Sequence, residues 1–454
     1  MSTSGLVLAI DQGTTNTKAV LVSADGRIAA RASVANPVSY PRPGWAEQSG
    51  EALWQGVVEA IAVVTGAAGA VEIDAVAISN QRESVLVWDA ETGEPIGPCV
   101  IWQCRRTADA CQTLREAGLG ERIAEKTGLA LDPLFPAGKI AWLIDSVPSA
   151  RERAARGELR AGTVDTWLLW QLTNGAVFAT DHSNASRTQL FDTRRMEWDE
   201  ELADIFNVSS QLMAQVLPSN ASFGLTAAGA TGLPAGIPIQ AMIGDSHAAL
   251  YGHGVRQPGT VKATYGTGTS LMTLTGGRVR SRNGLSATIA WSTGEGPVHA
   301  LEGNISVSGQ AAAFMAELLG LSDVGALADL AGTVADSDGV TFVPALVGLG
   351  APYWRSDARG IITGMSLGTR PAHLARAALD AIALQVSDVF EAMQADLGSE
   401  LVGLRADGGA SSNHALMQFQ ADLLGKTVTA SAVPEVSALG AAALAFSGLG
   451  IETS

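Results

Sequence analysis

Four short segments hold residue types that suit a phosphate-bearing ligand and the transfer of its phosphoryl group. The first, Asp11-Gln12-Gly13-Thr14-Thr15-Asn16-Thr17-Lys18, follows the apolar run Leu6 to Ile10. Gly13 lets backbone approach a phosphate, the hydroxyls can donate to its oxygens, and Lys18 can neutralise charge. Asp11, where the run ends, is placed to hold magnesium directly or through water. An empty polar turn would read the same. The second segment is Thr264-Tyr265-Gly266-Thr267-Gly268-Thr269-Ser270, and the third is Asp407-Gly408-Gly409-Ala410-Ser411-Ser412-Asn413, which leads into a helical pattern. Free amides at a helix start favour anions, and open glycine backbone lets a flat base approach, so these turns suit a nucleotide. Each is also compatible with a plain connecting turn; three together are more specific than any one. The fourth segment, Ile243-Gly244-Asp245-Ser246-His247-Ala248-Ala249, delivers one carboxylate to a loop ahead of the second glycine turn. Phosphoryl transfer needs a base near the attacking hydroxyl and otherwise mostly positioning. Asp245 is the candidate base, and an N-cap is the competing reading. His247 reads as a structural histidine.

Regular elements must present these segments. The start of the chain reads as a meander of three strands, Leu6 to Ile10, Ala19 to Val22 and Ile28 to Ala32, with Asp25-Gly26 as a hairpin signal. Val76 to Ile78 and Val85 to Val87 read as strands, and residues 52–64 and 105–117 as helices, the second opening with Arg105 and Arg106. Leu374, Ala378, Ile382, Val386, Val389 and Met393 recur at helical spacing and share one face. Residues 414–424 form another helix, with Ser412 or Asn413 as cap and Gly425 past its end. A chain of 454 residues exceeds one ordinary core. The boundary is placed near residues 250–258, which gives domains of 1–252 and 253–454.

Composition narrows the function classes. Hydrophobic residues make up 47 % and charged residues 16 %, which is globular. A net charge of −16 disfavours an electrostatic hold on nucleic acid or anionic membrane. Cys99, Cys104 and Cys111 are too few and too close for a disulfide framework, and no second ligand pair completes a zinc site. The N-terminus MSTSGLVLAID lacks the basic start and cleavable apolar core of a signal peptide. The uncharged stretch 205–244 is broken by Pro218, Pro234 and Pro238 and reads as loop and strand, not a membrane span. A cytoplasmic protein is expected. No Walker-type loop (GxxxxGK followed by Ser or Thr) and no GxGxxG fingerprint is present, so a dinucleotide oxidoreductase is not favoured.

At this level of detail the chain resembles the FGGY carbohydrate kinases, and within them the glycerol kinase branch. The resemblance rests on Asp11 to Thr15, Tyr40-Pro41 with Pro43-Gly44-Trp45, Asn80-Gln81-Arg82-Glu83, Ile101 to Thr107, Gly162 to Trp167 and Asn184 to Thr188. It continues through Thr264 to Gly268, Gly348 to Trp354, Asp407 to Ala410 and Leu416 to Gln420, in order from residue 6 to about 446. It implies an α/β, two-domain actin-like (ribonuclease-H-like) ATPase fold, with ATP and substrate in the interdomain cleft. By the same resemblance Thr14, Thr15, Asn16 and Lys18 surround the phosphates of ATP, with lysine where the branch usually has arginine. Thr267, Gly309, Gly409 and Asn413 complete the nucleotide site, Asp11 serves Mg2+, and Asp245 is the general base. Arg82, Glu83 and Trp102 line the site for a small polyol or sugar. Glu83 accepts from its hydroxyls, Arg82 donates, and the indole offers an apolar face. A homodimer is left open.

Departures from that branch bear on the substrate. Leu134 stands where the branch has tyrosine, Ser246 where it has glutamine, and Ser270 where it has phenylalanine. Each change removes bulk or a polar contact, and by the resemblance all three fall on the substrate side of the cleft. A lost hydrogen bond costs on the order of 1 kcal/mol, so two would weaken glycerol binding by roughly tens-fold. Glycerol leads the list of acceptors; a four- or five-carbon polyol or ketose such as erythritol, xylitol or a pentulose competes with it. Refilling of the space by neighbouring side chains would keep glycerol in use. Ala313 replaces a glutamine common near the nucleotide. Leu233-Pro234-Ala235-Gly236 replaces the Gly-Gly-Thr-Arg loop used for fructose bisphosphate inhibition, so no such inhibition is expected. The chain ends at Ser454, short of the branch's usual terminal helical segment, which means either a short subfamily or a missing piece. A non-enzymatic actin-like ATP-binding protein would share the phosphate turns, but it has no use for Arg82, Glu83, Trp102 and Asp245.

Overall fold

The computed structural model describes residues 5–69, 71–355 and 357–453. The first four residues, part of the signal-peptide reading, and Ser454 lie outside the described residues. The chain forms two compact units, one of Met1–Gly254, Thr288–His299 and Ser437–Ser454, the other of Val255–Ala287 and Ala300–Val436.

In the first unit the local turns build the meander. Leu6–Gln12 folds back antiparallel on Asn16–Ser23, with Gln12 opposite Thr17, and Asn16–Ser23 pairs antiparallel with Ile28–Ala35. Val7, Leu8, Ala9 and Ile10 are all fully buried, so this continuous apolar run is a central strand covered on both faces. Ile28–Ala35 alternates between half-buried and exposed positions, as an edge strand does. Two further strands join by parallel pairing: Ala75–Asn80 beside Leu6–Gln12, then Ile239–Gly244 beside Ala75–Asn80. Gln12 lies opposite Asn80, and Asn80 opposite Gly244. The chain therefore leaves all three parallel strands at one carboxyl edge, where open α/β sheets bind ligands. The helix Gly50–Ala68, capped by Ser49, covers this sheet through Leu53, Val57, Ala60, Ile61 and Val64.

The second unit repeats the plan. Four adjacent strands of its six-stranded sheet run in the order Thr427–Ala430, Gly403–Asp407, Thr260–Tyr265, Thr269–Thr275. The first three are parallel and the fourth returns antiparallel. The helix Pro371–Leu397 buries Ala375, Ala378, Ile382, Val386, Val389 and Met393 against it and ends at Gly398 in the left-handed region. His414–Leu424 is capped by Asn413, not Ser412, and stops at left-handed Gly425. Two ribonuclease-H-like units in one chain make the actin-like ATPase fold.

One expected helix is shorter than its pattern. Residues 105–117 reduce to Ala108–Glu116 because the two arginines are held by tertiary contacts before the helix begins. Arg106, its side chain fully buried, pairs with Glu47 at 2.5 Å and lies over the rings of Trp45 and Trp142. Among the described residues no helix is long and apolar enough to cross a membrane.

Candidate functional site

In the first unit, the carboxyl ends of the three parallel strands carry the acceptor-side candidates. Asp245 opens the helix Asp245–Gly252, whose N-cap is Gly244. The N-cap reading of Asp245 therefore fails. Its Oδ1 accepts from Ser246 N at 2.6 Å and from Arg82 Nε at 3.1 Å. The aspartate side chain keeps 36 % of its exposure while Arg82 keeps 6 %, so the carboxylate is the more open of the two. Glycine at 244 is what allows this. A Cβ there would stand 2.6 Å from Arg82 Cγ and Cδ.

Glu83 sits at φ 59°, in the left-handed region that glutamate rarely adopts. Its carboxylate accepts from Nε of the fully buried Arg187 at 2.6 Å and lies 3.8 Å from Arg82. Arg187 in turn lies over the ring of Phe135. The Glu83 carbonyl accepts from Lys139 Nζ at 2.9 Å, and the same nitrogen donates to the Leu134 carbonyl at 2.6 Å. Leu134 is thus tied to the glutamate through one buried lysine. Ser246 is buried beside Asp245.

Trp102 joins the acceptor side to the first glycine turn. Its indole donates to Thr14 Oγ1 at 2.8 Å, and its backbone N–H donates to Ser84 Oγ at 3.1 Å. Beneath it, buried amides fix the turn. Gln81 accepts from Ser84 Oγ at 2.8 Å and donates to Gln48 at 2.9 Å, and Gln48 donates to the Thr14 carbonyl at 2.9 Å. The Gly13 carbonyl accepts from Asn36 Nδ2 at 2.7 Å, and Gly13 N–H closes the turn on the Asn16 carbonyl at 2.9 Å. Thr15 is exposed, Asn16 and Lys18 are half-buried, and Lys18 faces Asp11 across the strand pair.

Asp11 accepts from Ser79 Oγ at 2.9 Å. Among the described residues no group of three or more His, Cys, Asp or Glu is placed to hold a metal. A single carboxylate fits magnesium of the kind that keeps its waters and is shared with substrate phosphates; it does not fit an all-protein cage.

The nucleotide-side candidates lie in the second unit. Gly309, the first residue of the helix Gly309–Leu318, donates to the Gly266 carbonyl at 3.0 Å, and Gln310 N–H donates to the Thr267 carbonyl at 3.1 Å. Thr267 and Gly309 are therefore adjacent. Gly408, at φ 87°, crosses the strand end carrying Tyr265, where a Cβ would meet the Tyr265 carbonyl at 2.5 Å. Gly409 is exposed, with nothing within 4 Å of an added Cβ. Asn413 Oδ1 accepts from Leu416 N at 3.0 Å, so its oxygen serves the helix cap. Ser270 also belongs to this unit, and its Oγ donates to Glu302 at 2.9 Å.

Reading the sequence alone missed Lys139, the role of Arg187 and the Gln48–Gln81 pair. Lys139 had a visible signal. It falls among Pro136, Ala137, Ile140, Leu143 and Ile144, the buried face of the helix Pro136–Asp145, where a lysine is out of place. Burial lowers its pKa to about 8, against the charge of Glu83, which favours the ammonium. Elsewhere in the first unit, the buried Asp165 is pushed up to about 7 by desolvation and by the neighbouring Asp181, although Thr180 donates to it at 2.6 Å.

Residues 6–252 match the N-terminal domain, and residues 261–449 the C-terminal domain, of the FGGY family of carbohydrate kinases. An apulose kinase from Pectobacterium atrosepticum is 50 % identical over 446 residues, covering 98 % of this chain and 90 % of that one. A glycerol kinase from Symbiobacterium thermophilum is 46 % identical over 445 residues, 97 % of this chain and 89 % of its own. The crystal structure of Plasmodium falciparum glycerol kinase with ADP superposes with a TM-score of 0.91 at 33 % identity, covering 98 % of this chain and 90 % of that one. The chain belongs to the FGGY family of carbohydrate kinases and is an ATP-dependent enzyme that phosphorylates a hydroxyl of a sugar or polyol.

Proposed function

We propose that the acceptor is a four- or five-carbon ketose or polyol, longer than glycerol, and that Asp245 is the base that takes its proton. The observation that carries this reading is Leu134. Its backbone is tied through Lys139 to Glu83, so an apolar side chain stands where the glycerol kinase branch has a tyrosine hydroxyl. Ser246, next to the base, shortens a second side chain on the same side. The 50 % identity to an enzyme named for apulose, a ketose by its name, points the same way.

In this mechanism Glu83 accepts from acceptor hydroxyls while Arg187 holds its carboxylate in place. Arg82 neutralises Asp245 and donates to the acceptor, and the Trp102 ring covers its carbon chain. The Asp245 carboxylate receives the proton of the attacking hydroxyl as its oxygen bonds to the γ-phosphorus of ATP and the bond from that phosphorus to ADP breaks, with ADP leaving. Thr14, Thr15, Asn16 and Lys18 meet the phosphates, and Thr267, Gly309, Gly409 and Asn413 meet the rest of the nucleotide. Asp11 is the magnesium residue, and bound magnesium would neutralise phosphate charge. The matched spans support residues 1–252 as the substrate-and-phosphate domain and 253–454 as the nucleotide domain, although Thr288–His299 and Ser437–Ser454 belong to the first compact unit. A cytoplasmic setting belongs to the same reading, supported by the free, buried Cys99, Cys104 and Cys111.

The test is ADP release by the purified protein with glycerol, erythritol, xylitol, dihydroxyacetone, xylulose, ribulose and apulose. A five-carbon ketose should exceed glycerol in kcat/KM by about tenfold or more, as two lost polar contacts imply. Glycerol is the second reading, favoured by the 46 % identity to a glycerol kinase. The highest kcat/KM for glycerol would end the proposal.

A further inference from the structure

The acceptor side contains a buried cation that the reaction itself does not use. Lys139 has no exposed surface, and burying an ammonium is costly unless its protons are well placed. A methionine or leucine would fill the same space without that cost. What lysine adds is a pair of hydrogen bonds to two main-chain carbonyls, at 2.9 and 2.6 Å, on separate loops. One carbonyl belongs to Glu83, whose left-handed backbone must be held by its surroundings. The other belongs to Leu134, whose N–H is fixed by Asp132 at 2.8 Å. Glu83 and Leu134 lie 51 residues apart in the chain, and the helix Pro136–Asp145 carries the side chain that joins them.

We infer that Lys139 is a positioning residue of the acceptor site, setting the distance between the residue that holds the acceptor's hydroxyls and the residue that limits its length. Without the ammonium, both carbonyls lose a buried donor. Glu83 is then free to leave its left-handed conformation, and the loop 132–135 to move away from it. The effect falls on the acceptor, because no phosphate or nucleotide candidate bonds to Lys139. The inference rests on residues 83 and 134 lining the acceptor site.

Lys139→Met, which keeps the volume and removes both donors, tests it. With the wild type's preferred acceptor, KM for that acceptor should rise about tenfold or more, and KM for ATP should stay within about twofold. The preference between a five-carbon acceptor and glycerol should shrink as well. A merely structural lysine would lower Tm without separating the two KM values. An acceptor KM within about twofold of wild type in a folded variant, or an equal rise in both KM values, overturns the inference. If Lys139→Met does not fold, Lys139→Gln, whose shorter side chain keeps an NH2 donor group, decides by the same criteria with a smaller acceptor effect. The wild-type panel keeps the two ideas apart. A preference for glycerol refutes the longer acceptor while leaving the Lys139 effect measurable on glycerol. An unmoved acceptor KM in the variant refutes Lys139 positioning whichever acceptor is preferred.

Discussion

Asp245→Asn separates the chemistry of the base from its structural contacts. The carboxylate's Oδ1 accepts hydrogen bonds from Ser246 N and from Arg82 Nε. An asparagine oxygen in that place accepts both, so helix start and arginine position should survive. Only the charge and the proton-accepting ability are removed. Arg82 loses its 3.1 Å counter-ion but keeps the Glu83 carboxylate at 3.8 Å, so it is not left alone in a buried setting. Because Asp245 is 36 % exposed, solvent already screens the pair, and the expected stability loss is within about 1 kcal/mol. General-base catalysis contributes about 10²–10⁴-fold, or ~2.7–5.4 kcal/mol of barrier. The expected result is therefore a kcat lower by two to four orders of magnitude, on the order of that range, with an ATP Kd close to wild type. ADP release under saturating acceptor gives kcat, titration calorimetry gives nucleotide affinity, and thermal unfolding checks the fold. A folded Asp245→Asn enzyme within about tenfold of wild-type kcat would refute the base assignment.

Two paired glycines test the nucleotide turn. Gly408→Ala forces a Cβ to 2.5 Å from the Tyr265 carbonyl at φ 87°, and should lower stability by about 1–3 kcal/mol in thermal unfolding. Gly409→Ala meets nothing within 4 Å, so it should leave Tm unchanged while weakening ATP binding; unchanged affinity would remove Gly409 from the nucleotide site. A third prediction concerns pH. Asp165 has its folded pKa raised to about 7 from an ordinary 3.8, so folding takes up its proton between those values. Its contribution to stability is present below about pH 4 and is lost as pH rises through about 7. Thermal unfolding of wild type and Asp165→Asn across pH 4–7.5 should show wild type losing stability relative to the variant as pH rises. Parallel curves would show that Asp165 does not titrate in this range.

Much of the local structure was legible. Glycine and hydroxyl residues after apolar runs marked the turns at 13, 266 and 408, because close backbone turns need those residue types wherever they occur. The helix at 414–424 was readable from its cap and its terminal glycine, since both act within one turn of the chain. Arg105 and Arg106 misled the helix start, because the Trp45–Arg106–Trp142 stack depends on residues far from 106 in sequence.

The chemical types available, and their order along the chain, were determined by the sequence itself: three glycine turns, one candidate base, and the Arg82-Glu83 pair. Which of them meet was decided only in three dimensions. Arg82 reaches Asp245 across 163 positions because Ala75–Asn80 pairs in parallel with Ile239–Gly244, and their matched ends bring both residues to one edge. Glu83 finds Arg187 across 104 positions, and Lys139 binds two carbonyls that have no side-chain signature at all. Hydrophobic periodicity reports only which face of an element is covered. A buried ion pair or a lysine bound to main chain depends on the element packed against that face, and on strand register set by the whole sheet.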